Sequence, residues 1–414
     1  MAAVRDRLHV LVVGAGVGGL AAARGLAARG HRVTVLERAP ALTRVGGHLG
    51  VQSNAVLALR ALGASAPVEE CGVPVERFEI ASWRGRRLAW WSPGALGREM
   101  SAPNVTVPRH VLLTALRDAA LTHRDATELV FGAEVREIAA VDDGTGVTVR
   151  TADGRSFTGD LVVGADGVRS AVRRLAGLPG TPRTAGYLTW RGVAAARPPA
   201  TGPHTARHYL GRGRTFGHWP LPDGRTYWVA TRLRPGPSAG AAPAGPPDPA
   251  DLPSRARELV GATPAHDILH TAVDTVEGCD TWHTGRVVLL GDAAHAMEPV
   301  TGQGGAQALL DALALATALA GVGAADGPGR IEGALADYAA TRRGPARKVA
   351  EEARGLGGLH HLDNAVAVRV RDTVLRCTPH SVWQRRAALR LDERELLAAA
   401  APAGRGTAPE AARR

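Results

Sequence analysis

The apolar positions of this chain first fall into a strand–helix–strand rhythm. Leu8 to Val13 is an apolar run of strand length, and Val17 to Arg29 has the small and apolar residues of a packed helix. Arg32 to Leu36 alternates into a second strand that ends at Glu37. Parallel strands joined by a helix form a right-handed unit. The period then changes. Phe78, Ile80 and Trp83 alternate, Arg84-Gly85 supplies a turn, and Leu88 to Trp91 returns, which predicts a hairpin in a second sheet. Val107 to Ala120 reads as a helix with Pro108 near its start.

Turn signals at Asp143-Gly144 and Asp153-Gly154 separate strands that lead into Leu161 to Val163. Tyr187 to Val193, Phe216 to Leu221 and Tyr227 to Thr231, rich in aromatic and β-branched residues, belong to the second sheet. Pro235 to Ala250 reads as an irregular surface excursion. Val287 to Leu290 returns as a strand of the first domain, and helices are expected over Ala306 to Leu319 and Ile331 to Glu352. The expected class is α/β, with a Rossmann-like nucleotide domain and an inserted mixed β-sheet substrate domain. The nucleotide domain is discontinuous, over 1–75, 101–177 and 281–355, and the inserted domain covers 76–100 and 178–280. A C-terminal helical region at 356–397 and a disordered tail at 398–414 complete the division.

A chain of 414 residues has room for these two lobes, and no apolar run reaches membrane-spanning length. Three widely spaced cysteines, Cys71, Cys279 and Cys377, suggest a reduced cytoplasmic protein without a disulfide frame. The formal charge of +11 raises nucleic acid as a partner. The basic residues are almost all arginines, Lys348 excepted, and are scattered without interleaved aromatics, so that reading is set aside.

Three motifs carry the chemistry. Gly14, Gly16 and Gly19 follow a strand and open a helix. The first permits a tight turn, the second lets a pyrophosphate approach the backbone, and the third lets helix and strand pack closely. Glu37, at the end of the next strand, is placed to accept from adenosine ribose hydroxyls, with Arg38 beside it. The second motif is Gly164-Ala165-Asp166-Gly167-Val168-Arg169-Ser170, by itself a good turn after a strand. The third is Gly291-Asp292 after a strand, followed by Pro299 and by Gly302-Gln303-Gly304 before a helix. That helix N-terminus suits a developing negative charge.

In this order the motifs resemble the FAD-dependent aromatic monooxygenases of the para-hydroxybenzoate hydroxylase type. The resemblance runs from about Leu8 to about Arg386, and Thr189-Trp190-Arg191-Gly192 with Trp219-Pro220-Leu221 are similar to the salicylate and urate hydroxylase branch. It implies that Asp292 bonds the ribityl chain of FAD and that Asp166 lies near the pyrophosphate. It also implies that Arg109 opens a helix beside the flavin and that the segment Gly46 to Val51 runs along the isoalloxazine ring, with His48 touching either the flavin or the substrate. The implied cycle reduces FAD with transiently bound NADH or NADPH. Dioxygen then forms a flavin C4a-hydroperoxide, which hydroxylates or epoxidises an electron-rich, aromatic small molecule without a metal. For the substrate side, His218 is the candidate base, Arg191 the anion partner and Tyr227 the hydroxyl that orients. Either a monomer or a homodimer fits. The alternatives are a reductase or oxidase of the same fold without oxygen insertion, and a non-catalytic flavin-binding protein. A flavin halogenase would need an active-site lysine, whereas Lys348 lies late in a helical stretch.

Overall fold

The structure is a computed structural model that describes residues 7–42, 47–141, 146–195, 202–234 and 246–400. Asp143-Gly144, Gly46, most of the Pro-rich stretch after Pro235 and the tail beyond Ala400 lie outside the described residues. Its frame is a six-stranded sheet in the order His283–Thr284, Val287–Leu289, Leu161–Gly164, His9–Val13, Arg32–Glu37, Thr127–Phe131. All neighbours run parallel except the first pair. The central strands read as continuous apolar runs because helices cover both faces. The first helix, Val17–Ala28, packs on the helix Gly304–Ala318, and Gly25 makes the approach close, since a Cβ there would reach Ala316 at 3.0 Å.

The second sheet has seven strands in the order Leu269–Glu277, Thr181–Ala194, Thr226–Leu233, Arg214–Pro220, Thr205–Leu210, Arg77–Ser82, Arg87–Trp91. It is mixed, with Thr205–Leu210 parallel to Arg77–Ser82 and the remaining pairs antiparallel. One face packs Leu188, Trp190, Phe216 and Trp228 against Ala256 and Leu259 of a surface helix, Ser254–Gly261, and against Leu252 just before it. The other face turns toward the six-stranded sheet. A small sheet of His48–Val51, Val105–Pro108 and Val73–Pro74 bridges the two.

Three expectations are corrected. The helix expected from Val107 begins at Arg109, because Val105–Pro108 is the central strand of the bridging sheet. Buried β-branched residues favour extension, and the residue before a proline is pushed out of the α region. The helix expected over Ile331 to Glu352 runs from Pro328 to His360, through Pro345. The expected tail does not start at residue 398, since a helix over Arg394–Ala400 carries the chain past it. Two further helices, Ala365–Cys377 and His380–Leu391, lie across the end of the second sheet. Among the described residues, no helix is long and apolar enough to cross a membrane.

Candidate functional site

One cavity of about 1010 Å³ runs from the glycine loop of the nucleotide sheet to the inner face of the seven-stranded sheet. At its nucleotide end each glycine has a distinct reason. Gly14 has φ +104°, and a Cβ there would strike the Ala165 carbonyl. A Cβ on Gly19 would overlap the Gly14 carbonyl oxygen, so the helix can start this close to the strand only without one. Gly16 faces open space and lines the cavity. Glu37 accepts from the N–H groups of Ala15 at 2.7 Å and Ala39 at 2.8 Å, which spans the loop and leaves carboxylate lone pairs toward the cavity. Arg38 also lines it, exposed.

Asp166 caps the helix Ala171–Leu175 by accepting from Ala171 N–H at 2.7 Å and Val172 N–H at 3.1 Å, with its turn open to the cavity at Gly167. Its neighbour Arg169 is exposed and pairs with Asp274 at 2.9 Å.

Asp292 follows Gly291, which has φ +59°. Its side chain is open to the cavity yet deep in the molecule, and burial pushes its carboxyl pKa up against the pull of His295 and Arg109. Opposite lies Arg109, whose guanidinium is lowered by burial while Asp292 holds its charge in place. Pro299 sits in a short turn ending at Gly302, which has φ +67°. Gly304 and Gly305 then open the helix Gly304–Ala318 with no side chain screening its first N–H groups from the cavity. The Gln303 side chain turns inward, accepting from Asn54 Nδ2 at 2.8 Å and donating to Gln52 Oε1 at 2.8 Å. It ties the loop down and does not face the cavity.

A buried charge cluster stands behind this turn. Asp311 accepts from Gly291 N–H at 2.9 Å and from Arg342 Nε at 2.8 Å, and its other partner is His295 Nε2 at 2.6 Å. Burial alone would raise the Asp311 carboxyl, but the charges and hydrogen bonds of His295 and Arg342 hold it down at about 2. Arg342 reaches on to Gln307 and Glu393.

At the far end the sheet supplies the floor. Alternation brings Tyr187, Thr189 and Arg191 of one strand, Tyr227, Val229 and Thr231 of the next, and Thr215, Gly217 and Trp219 of the third to the cavity. The register puts Arg191, Val229, Gly217 and His208 in one row across the sheet. Tyr227 is buried, with its hydroxyl raised in pKa by burial against the effect of Arg191, and its ring tilts on His48 at 5.4 Å. Burial, then Arg225, pushes the His48 imidazole down to about 4. Arg191 donates to Thr271 Oγ1 at 3.0 Å, and its Nε is buried without a partner. His361 bonds Thr231 Oγ1 at 2.7 Å and stacks on Tyr187, whose hydroxyl donates to Glu298 at 3.0 Å.

His218 is the correction on this side. It lies between Gly217 and Trp219, so the pleat turns it to the opposite face, beside Tyr209 and within the field of Arg207 and Arg255. Burial drives its pKa to about 3 and it does not line the cavity. His208 does line it, with a pKa lowered to about 4 by burial and then by His361. Sequence reasoning missed His208 because it missed the strand Thr205–Leu210. The pattern there offered a signal only once pairing with Arg214–Pro220 was known.

Residues 7–353 match the family model described as FAD binding domain. The chain is 36% identical over 384 residues to an aurachin C monooxygenase/isomerase of Stigmatella aurantiaca, covering 90% of this chain and 95% of that one. It is 34% identical over 391 residues to a 3-amino-4-hydroxybenzoate 2-monooxygenase of Streptomyces cremeus, covering 91% and 94%. Among solved structures, Klebsiella pneumoniae HpxO complexed with FAD and uric acid superposes with a TM-score of 0.81 at 26% identity, over 93% of this chain and 96% of that one.

Proposed function

The chain belongs to the FAD binding domain family and is an FAD-dependent monooxygenase, and from that premise we propose its reductant, substrate class and site residues. NADH or NADPH supplies the electrons, and one atom of dioxygen enters an electron-rich aromatic small molecule held on the inner face of the seven-stranded sheet. The observation that carries this reading is the continuity of one cavity from Gly16, Glu37 and Asp292 to Tyr227, Arg191 and His208. Its volume of about 1010 Å³ is at the upper end for a single small ligand and accommodates a dinucleotide cofactor with a ring compound beyond it.

The residues fit FAD. Backbone at Gly16, Gly167 and Gly305 has no atom in the path of an added Cβ, as a cradle for pyrophosphate and a flat ring requires. Gly14, Gly16, Gly19 and the turn at Asp166 would hold the pyrophosphate, Glu37 and Arg38 the adenosine end, and Asp292 with Arg109 the ribityl region. Pro299, Gly302 and Gly304, with Gln303 anchoring their loop, would present a helix N-terminus to the ring edge, and His48 would lie along the ring. FAD, when bound, supplies the electron-transfer and oxygen chemistry.

The chain's own residues bind, orient and dry the substrate. Arg191 offers a cation to a phenolate, enolate or carboxylate oxygen, and Tyr227 donates a hydrogen bond, its raised pKa keeping the proton on. His208, uncharged at neutral pH, accepts a hydrogen bond from a phenolic hydroxyl and orients it, in the place first assigned to His218. Trp219, Phe78 and Trp91 wall the ring space and exclude water.

The test is to follow NADH and NADPH oxidation by the flavin-loaded protein across phenols, hydroxybenzoates, indoles and purines. Stimulation by one class, with product mass raised by one oxygen atom, is expected. Stimulation without added oxygen would make the protein a reductase or oxidase, and protein that takes up no FAD would sink the reading.

A further inference from the structure

Among the described residues, the exposed large hydrophobics are Val366, Val370, Val374, Val382 and Leu389, all 43% to 68% exposed and all on the two helices Ala365–Cys377 and His380–Leu391. Single exposed apolar residues are ordinary, but this clustering is not. Val366, Val370 and Val374 recur every fourth residue and form one stripe, while Arg371 and Leu375 on the other side are buried. On the second helix Val382 and Leu389 share the outer side, with Ala387 and Leu391 buried behind them.

Within the two helices the exposed charge has one sign, the nearest exposed acids being Asp363 before the first and Asp392 after the second. The exposed positions of both helices include Arg369, Arg376, Arg385 and Arg386 and no carboxylate. Asp372, the one acid within the two helices, is held by Arg371 at 2.9 Å. We propose that this two-helix face is a peripheral docking surface for a lipid bilayer carrying anionic headgroups. The valines and the leucine enter the interface while the arginines meet headgroup charge.

A second copy of the chain is disfavoured as the occupant. It would set four guanidinium groups against four more, in a protein with a formal charge of +11. The segment after Ala400 is no better matched, because it carries Arg405, Arg413 and Arg414 against Glu410 alone. The second helix also walls the cavity through Trp383, Ala387 and Leu391. The docked face therefore sets the cavity wall beside lipid, and, resting on the monooxygenase reading, it favours lipophilic aromatic substrates.

The test is co-sedimentation of the full-length, FAD-loaded protein with vesicles of phosphatidylcholine alone or mixed with phosphatidylglycerol. Stronger binding to the mixed vesicles, weakened by salt, is expected. Val370→Asp with Val374→Asp should lower binding about tenfold or more while circular dichroism shows an unchanged fold. Arg369→Gln with Arg385→Gln leaves the apolar stripe intact and should cost about fivefold per arginine on mixed vesicles only. Binding to neither vesicle, or undiminished binding by both double variants, overturns the proposal. A concentration-dependent dimer abolished by the aspartates, with no vesicle binding, overturns it in favour of self-association. A flavin-loaded protein that fails only the vesicle assay leaves the monooxygenase reading standing.

Discussion

Replacing Arg342 by methionine removes a cation that never touches the cavity, yet it should loosen the cofactor turn. Arg342 and Asp311 are both 0% exposed and are joined at 2.8 Å. Without the guanidinium, Asp311 keeps His295 and the Gly291 N–H but loses its strongest permanent charge partner. An exposed ion pair is worth about 1 kcal/mol or less, whereas a buried pair broken on one side costs about 3–5 kcal/mol. Complete burial decides for the second figure. His295 compensates in part, so the expected loss is about 3 kcal/mol in urea unfolding. FAD retention should fall with it, because Gly291 leads directly to Asp292. Asp311→Leu combined with Arg342→Met removes both charges and should recover part of the stability. It should not recover FAD retention, since the Gly291 N–H then has no acceptor on Asp311. A loss below about 1 kcal/mol for Arg342→Met would show that the cluster behaves like a surface pair and does not hold the turn.

Gly19→Ala should fail to retain FAD and melt earlier, while Gly16→Ala, which meets open space, should fold normally and bind FAD more weakly. Flavin absorbance per protein and a melting curve for each separate the two. His208→Leu should slow substrate-stimulated NAD(P)H oxidation by about tenfold, the worth of one lost hydrogen bond. His218→Leu should leave that rate near wild type, and the reverse order would reject the side assignment. Stability should fall on acidification. The folded-state pKa of His208 is about 4, below its ordinary 6.5, so the unfolded chain takes up protons first as the pH drops. The contribution is full above about pH 6.5 and is lost as pH falls toward 4, by up to about 3 kcal/mol for this one histidine. Urea unfolding unchanged from pH 7 to pH 5 would contradict this.

How legible each half was follows from what each half needs. The nucleotide end depends on backbone requirements that only glycine meets, such as φ +104° at Gly14 and the overlap at Gly19, and these leave marks in a sequence. The sheet end depends on which way a side chain points. Phe216, Gly217 and His218 are consecutive and all buried, because that strand is covered on both faces, one by packing and one by the cavity wall. Hydrophobic alternation then no longer distinguishes the faces, and His218 was assigned to the wrong one. The Asp311 cluster was invisible for another reason. Its members come from the turn at His295, one helix at Asp311 and another at Arg342, brought together only by tertiary packing.

The order of strands in the nucleotide sheet also sets a schedule for the chain's birth. Leu161–Gly164 lies between His9–Val13 and Val287–Leu289, so one of its edges waits for a strand made well over a hundred residues later. At about 5–20 residues per second, a ribosome reaches residue 287 only after about 14 to 57 s. Five of the seven strands of the second sheet, from Thr181 to Glu277, are synthesised while the Leu161–Gly164 edge stays available for wrong pairing. Asp292, Asp311 and Arg342 come later still. On the proposed site, the glycine loop at the start of the chain therefore cannot gain its full set of FAD contacts until the last third is made, and holding flavin becomes a property of the finished protein and not of its first-made domain.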